Sequence, residues 1–226
     1  MMPAMRLPRR PVLFALFALL FALTAGAAFY ESRAAQYDYL ALALSWSPTH
    51  CVSEAGRDDE GQCAAGSRHG FVVHGLWPEF DRGWPEYCAS SQNFVPGAVI
   101  AQMRDLMPSK SLVIHEWKRH GTCSGLSPRG YFAATRRLYS RLTIPARYRA
   151  PKTALIVSPD QLVADFLTAN PRLSPGMMSV RCESERAGAR LKDVVFCFSR
   201  DFESRPCGAN QRQGCAAPEL TLPPVR

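Results

Sequence analysis

From Tyr37 to Trp46 the chain alternates, with Tyr37, Tyr39, Ala41 and Ala43 on one side, the period-two pattern of a strand. Arg57–Ser67 is polar and carries glycines, which predicts a loop. Gly70–Leu76 predicts a second strand, with Phe71 and Val73 on one face and Val72 and His74 on the other. Pro78–Asn93 is irregular and rich in aromatics. The spacing then turns helical over Pro96–Met107, which Pro108 stops, and over Ile114–His120, which Gly121 ends as a C′ residue. A basic amphipathic helix follows over Tyr131–Leu142, and Lys152–Val157 is extended. Ser158 as N-cap and Pro159 at the first helical position open a helix to about Ala169. Met177–Cys182 and Leu191–Arg200 read as closing strands, and the proline-rich tail from Pro218 is expected to lie exposed. No linker separates these elements, so a single domain is expected.

The first thirty residues follow a different rule. Met1–Pro11 carries Arg6, Arg9 and Arg10 and no acid, Val12–Leu23 is uniformly apolar, and Ala25-Gly26-Ala27 has small residues at A-x-A spacing. That is the layout of a secretory signal peptide, so residues 1–27 are expected to be a leader, cut somewhere over 27–35, with the domain over 36–226. A retained anchor is the competing reading, because the apolar run can be extended to Phe29. Thr24-Ala-Gly-Ala interrupts that run where a peptidase would cut, which favours a periplasmic or secreted protein with no stable membrane association.

Composition sharpens this picture. A 226-residue chain with 47% hydrophobic and 20% charged residues has the makings of a real core, which excludes a disordered class. Removing the three leader arginines leaves 24 cations against 19 acids, a charge of +5 that suits an anionic partner. Export also decides how to read Cys51, Cys63, Cys88, Cys123, Cys182, Cys197, Cys207 and Cys215. An even set in an oxidising compartment implies a disulfide framework, with roughly a hundred pairings open to eight cysteines. A zinc site is disfavoured, since no C-x-x-C pair exists and the shortest gap, Cys207 to Cys215, is too wide for a knuckle.

Chemistry concentrates in Phe71–Pro78 (FVVHGLWP) and His115–Cys123 (HEWKRHGTC). On a helix at about 100° per residue, Arg119, Glu116 and His120 fall at about 40°, 100° and 140° from His115. Two imidazoles, a guanidinium and a carboxylate thus share a face, while Lys118 points to solvent. His115-Glu116 superficially suggests the H-E-x-x-H zinc motif, but that motif needs histidines four apart and these are five apart with a cation between them. Metal-free phosphoryl transfer fits better. Imidazoles with a pKa near about 6.5 supply one neutral base and one protonated acid together, and an adjacent cation stabilises charge developing on phosphorus. RNA brings its own nucleophile, the 2′-hydroxyl. His120 closes its helix, where the dipole favours imidazolium and is expected to raise its pKa.

The two segments closely resemble, in order and in type, the active-site segments of the T2 family of secreted ribonucleases. A looser resemblance extends over Tyr37–Cys215, through the strand ending in Trp46, Cys88, the Tyr131-Phe132 helix and LKDVVFCF. It implies an α+β fold, a central antiparallel sheet flanked by helices in one disulfide-stabilised domain. It implies a metal-independent endoribonuclease, without cofactor and expected to be monomeric, that cleaves single-stranded RNA through a 2′,3′-cyclic phosphate to a 3′-phosphate. By the same resemblance His120 is the general base, His74 the general acid and His115 a phosphate ligand. Glu116 and Arg119 polarise the phosphate, Arg119 standing where the family usually carries lysine. Trp77 with Glu79, and Trp84 or Tyr87, resemble the base-stacking site. The family pattern suggests the bridges Cys88–Cys123, Cys182–Cys215 and Cys197–Cys207, which leaves Cys51 with Cys63. The alternative is an exported RNA-binding or toxin-like relative with little turnover, against which the three histidines argue. A protein-binding module has no use for convergent histidines.

Overall fold

The computed structural model describes residues 37–185, 188–212 and 214–225, so the expected leader lies outside the described residues. Strand β1 (Tyr39–Trp46) runs directly into helix α1 (Ser47–Val52), and α2 (Glu60–Cys63) precedes β2 (Phe71–Glu79). Three helices follow, α3 (Gly97–Met103), α4 (Lys110–Arg119) and α5 (Pro128–Tyr139). Then come β3 (Leu155–Val157), α6 (Pro159–Ala169), β4 (Met178–Glu185), β5 (Gly188–Phe198), α7 (Ala209–Arg212) and β6 (Leu220–Leu222). The architecture is α+β, as expected.

Local signals explain the helix starts. Ser109, Ser127 and Ser158 each accept a hydrogen bond from the backbone N–H three residues on, at Leu112, Gly130 and Gln161. Pro128 and Pro159 occupy the first helical turn, where a missing N–H costs nothing. The segment Arg57–Ser67 is not all loop. Asp59 caps the short α2 inside it, and the Cys51–Cys63 bridge ties that turn to α1.

The sheet runs β2-β1-β5-β6-β3, with β4 on the far edge of β5. Its pairs are antiparallel except for one parallel contact of β5 with β6, Arg190 opposite Thr221, so the sheet is mixed. That contact belongs to the tail, whose expected exposure the structure corrects. Leu220 and Leu222 are completely buried, because leucine–threonine–leucine alternation turns both leucines inward, and the flanking prolines stand outside the strand.

Strand β1 is buried on both faces. Leu40, Leu42 and Leu44 face one side, while Tyr39, Ala41 and Ala43 pack with Trp77, Val195 and Cys197 on the other. Along that second face the apolar residues give way, one step further, to Ser45 on β1 and Asp193 on β5, which stand opposite each other in register. The functional face of the sheet begins there.

All eight cysteines are paired, as Cys51–Cys63, Cys88–Cys123, Cys182–Cys215 and Cys197–Cys207, the pattern that the family resemblance implied. Bridges of this kind stabilise by restricting the unfolded chain, typically by about 2–4 kcal/mol each.

Candidate active site

The register of β2 against β1 slips between Ala43 and Leu44, which face Gly75 and Val73, so the unpaired extra residue is His74. A bulge re-aims its side chain, and here it turns the imidazole over the polar end of the sheet. Ser45 Oγ donates to Asp193 Oδ1 at 2.5 Å and lies 2.9 Å from His74 Nδ1, which is itself 3.3 Å from Asp193 Oδ1. The other ring nitrogen, Nε2, sits 3.8 Å from Glu116 Oε1.

Helix α4 supplies the facing wall. His115 is exposed on it, Glu116 is buried, and His120 forms its C-cap at 8% exposure. Trp77 Nε1 donates to Glu116 Oε2 at 2.9 Å, and the Trp77 ring lies 5.3 Å from His74 and 5.6 Å from His120, centroid to centroid. Gly75 is what lets these groups meet. A Cβ there would stand 1.8 Å from Glu116 Oε2 and 2.6 Å from Trp77 Nε1. Gly75→Ala is therefore expected to break the Trp77–Glu116 bond and cost about 1–3 kcal/mol by overpacking. An unchanged denaturant midpoint with full activity would contradict that contact.

Gly121 does not take the left-handed C′ conformation expected of it. It opens a 3₁₀ turn, Gly121–Cys123, at negative φ, and glycine is required because a Cβ would meet Trp117 Cε3 at 2.3 Å. Trp117 itself is core, packed on Tyr131. Tyr131 in turn pins β2 from below, its hydroxyl donating to Leu76 O at 2.7 Å.

His74, His115, Glu116, Arg119, His120, Trp77, Glu79 and Trp84 all line one cleft of about 550 Å³. A second groove of about 1030 Å³ adjoins it and shares His74, His115 and Lys192. Trp84 is half exposed, so its ring is free to stack. Tyr87 is not brought into the cleft lining; it is 60% exposed on a loop at positive φ. Glu79 is buried at the cleft wall with both oxygens engaged, Oε2 by Tyr39 and Asn210 and Oε1 by Gln211. Arg119 Nε donates to Glu86 Oε2 at 2.9 Å, which orients the guanidinium at the cleft wall.

Electrostatics separate the histidines. Burial, with Arg119, His115 and His74 as cationic neighbours, pushes His120 down to about 3, and its Nδ1 is buried with no hydrogen-bond partner among the described residues. This reverses the rise expected from the helix dipole, because desolvation of a buried imidazolium outweighs a partial charge. Burial alone would lower His74 too, but the hydrogen bond and charge of Asp193, together with Glu116, outweigh it, and the pKa is raised. His115 is lowered by burial and by Arg119. Burial pushes Glu116 up to about 7 against the pull of His74 and Trp77, so it holds its proton over much of the acid range.

Sequence reasoning missed Ser45, Asp193, Arg181, Lys192, Asn210 and Gln211. Asp193 had a visible signal, a lone carboxylate in the apolar run LKDVVFCF, which burial makes costly unless it is paired. Asn210 and Gln211 carry none, since they arrive from a distant turn held by Cys197–Cys207 and Cys182–Cys215.

The chain matches the model of the Ribonuclease T2 family over residues 37–207. It is 31% identical over 202 residues to a ribonuclease of Aeromonas hydrophila, covering 87% of this chain and 90% of that protein. Among solved structures, RNase NT in complex with 5'-AMP aligns with a TM-score of 0.62 at 20% identity, over 84% of this chain and 99% of that one. Human RNase T2 aligns with a TM-score of 0.62 at 21% identity, over 84% and 100%. At these identities the two structures attest to a shared fold.

Proposed function

The chain belongs to the ribonuclease T2 family, and from that premise we propose how this endoribonuclease cuts RNA: metal-free transesterification of single strands to a 2′,3′-cyclic phosphate, then slower hydrolysis to a 3′-phosphate. The observation that carries the reading is the placement of two imidazoles on one cleft in opposite surroundings: His120 is buried beside Arg119, which lowers its pKa, and His74 lies against Asp193, which raises its own. His120 takes the 2′-hydroxyl proton, and the sugar oxygen attacks phosphorus. His74 gives its Nε2 proton to the departing 5′-oxygen. His115 and Arg119 hold the phosphate oxygens, and Arg119 offers paired N–H donors where a lysine would offer a point charge. Below about 7 Glu116 is a neutral acid, able to donate to a phosphate oxygen rather than repel it.

The two cavities that meet at His74 give the nucleotides flanking the scissile bond separate places. In the smaller one a base stacks on half-exposed Trp84, while Trp77, buried and bonded to Glu116, forms the wall behind it rather than a free stacking face. Glu79 acts there through Asn210 and Gln211, whose amides it holds in the wall. The protein is exported by its N-terminal leader, a reading that the four bridges support, and it works as a monomer.

The test is a defined oligoribonucleotide with one 2′-deoxyribose, digested in excess EDTA. Cleavage is expected at every ribose linkage permitted by the base preference, and none at the deoxy linkage. Cutting at the deoxy position, or activity lost to EDTA and restored by a divalent ion, would overturn the mechanism. Tight RNA binding without turnover would favour the RNA-binding alternative.

A further inference from the structure

Across the functional face runs a single polar row. Ser45 on β1 stands opposite Asp193 on β5, Asp193 stands opposite Arg181 on β4, and bulged His74 on β2 closes on the first two. Asp193 is completely buried, and its second oxygen, Oδ2, has no hydrogen-bond partner among the described residues. Every hydrogen bond found for this carboxylate therefore comes from Ser45 or His74. Isolated burial of such a group is expensive, so its partners define its purpose.

The hydrogen-bond directions follow from the donors available. Ser45 spends its one proton on Asp193, so its oxygen can only accept from His74 Nδ1, and Asp193 can only accept as well. Nδ1 therefore carries a hydrogen in both charge states, and the proton that comes and goes resides on Nε2, the nitrogen turned toward Glu116 and the cleft. Serine, histidine and aspartate are thus together without forming a nucleophilic triad, because both oxygens use the same ring nitrogen and the hydroxyl proton is already committed.

We propose that Asp193, relayed in part by Ser45, is the positioning residue of the general acid: it fixes the Nδ1 proton of His74, aims Nε2 into the cleft and sets a buried carboxylate against the ring. The inference rests on the reading of His74 as the acid. Other charged groups facing His74 are Glu116, His115, Arg119 and His120 from the α4 side and Lys192 beside Asp193. All but Glu116 are cations or potential cations, and they disfavour a charged His74. Glu116 is itself held up to about 7 and is mostly neutral in the acid range, so it is a poor standing counter-charge. Burial pushes Asp193 upward, but His74, Ser45 and Arg181 hold it below the ordinary carboxylate value. Asp193 is the anion that persists.

The experiment titrates the His74 ring by nitrogen-detected NMR in the wild-type domain, in Asp193→Asn and in Ser45→Ala, alongside pH profiles of kcat/KM on a dinucleotide. Asp193→Asn should lower the His74 midpoint by roughly one to three pH units, with a smaller fall in Ser45→Ala. The alkaline limb of the rate profile should follow, costing about tenfold in rate per unit above the new midpoint. A substrate whose leaving group needs no proton should be spared. In the wild type, the Nδ1 proton should persist on both sides of the His74 titration, a readout that needs no variant to fold. An unmoved His74 midpoint in both variants, or an Nδ1 that loses its proton as pH rises, overturns the proposal. A midpoint that falls while the rate limb stays fixed would uphold the Asp193 contact and refute His74 as the acid.

Discussion

His120→Ala is expected to reduce kcat on RNA by about 10²–10⁴, the range lost when a positioned base is removed. The loss should fall on kcat and kcat/KM alike, because the proton is taken only in the transition state. The sign of the pH dependence follows from the same residue. A base must be neutral to work, so the acid limb of kcat/KM tracks protonation of His120. Burial and the surrounding cations push that pKa down to about 3, and the limb should lie far below the ordinary histidine range. The alkaline limb tracks loss of the His74 proton, whose raised pKa moves that limb above the ordinary value. The profile should therefore be broad and extend deep into acid. An acid limb near about 6.5 would show that His120 is solvated as a base in free histidine is.

The second large effect is His74→Ala, again about 10²–10⁴ in kcat on RNA. The double variant with His120→Ala should lose little more than either alone, since both groups serve one concerted step. Here the protein's own distances matter. His74 Nε2 stands 3.8 Å from Glu116 Oε1, too far for a committed hydrogen bond, so its proton is available to a leaving oxygen.

Much of this arrangement was legible in the chain. Alternation located β1 and β2, the Ser158-Pro159 start placed α6 at its observed first residue, and the helical wheel correctly gathered His115, Glu116, Arg119 and His120 toward one cleft. What escaped was of two kinds. Some elements are too short to show a period, such as α2 and β6, which exist because a disulfide and a pair of buried leucines hold them. The others depend on contacts between segments far apart in sequence. Ser45, His74 and Asp193 are separated by 29 and 119 positions, and only strand register brings them together. The direction of the His120 shift escaped for the same reason. The helix end is local and visible, whereas the burial that overrides it comes from tertiary packing.

The division of labour between the two histidines is the central claim, and a nitrophenyl ester of uridine 3′-phosphate tests it most directly. Its leaving group departs without a proton, so general acid catalysis becomes unnecessary while general base catalysis does not. On this substrate His74→Ala should recover most of the wild-type kcat, and His120→Ala should remain impaired by about 10²-fold or more. Recovery of His120→Ala, with His74→Ala still impaired, would contradict the account and exchange the two roles.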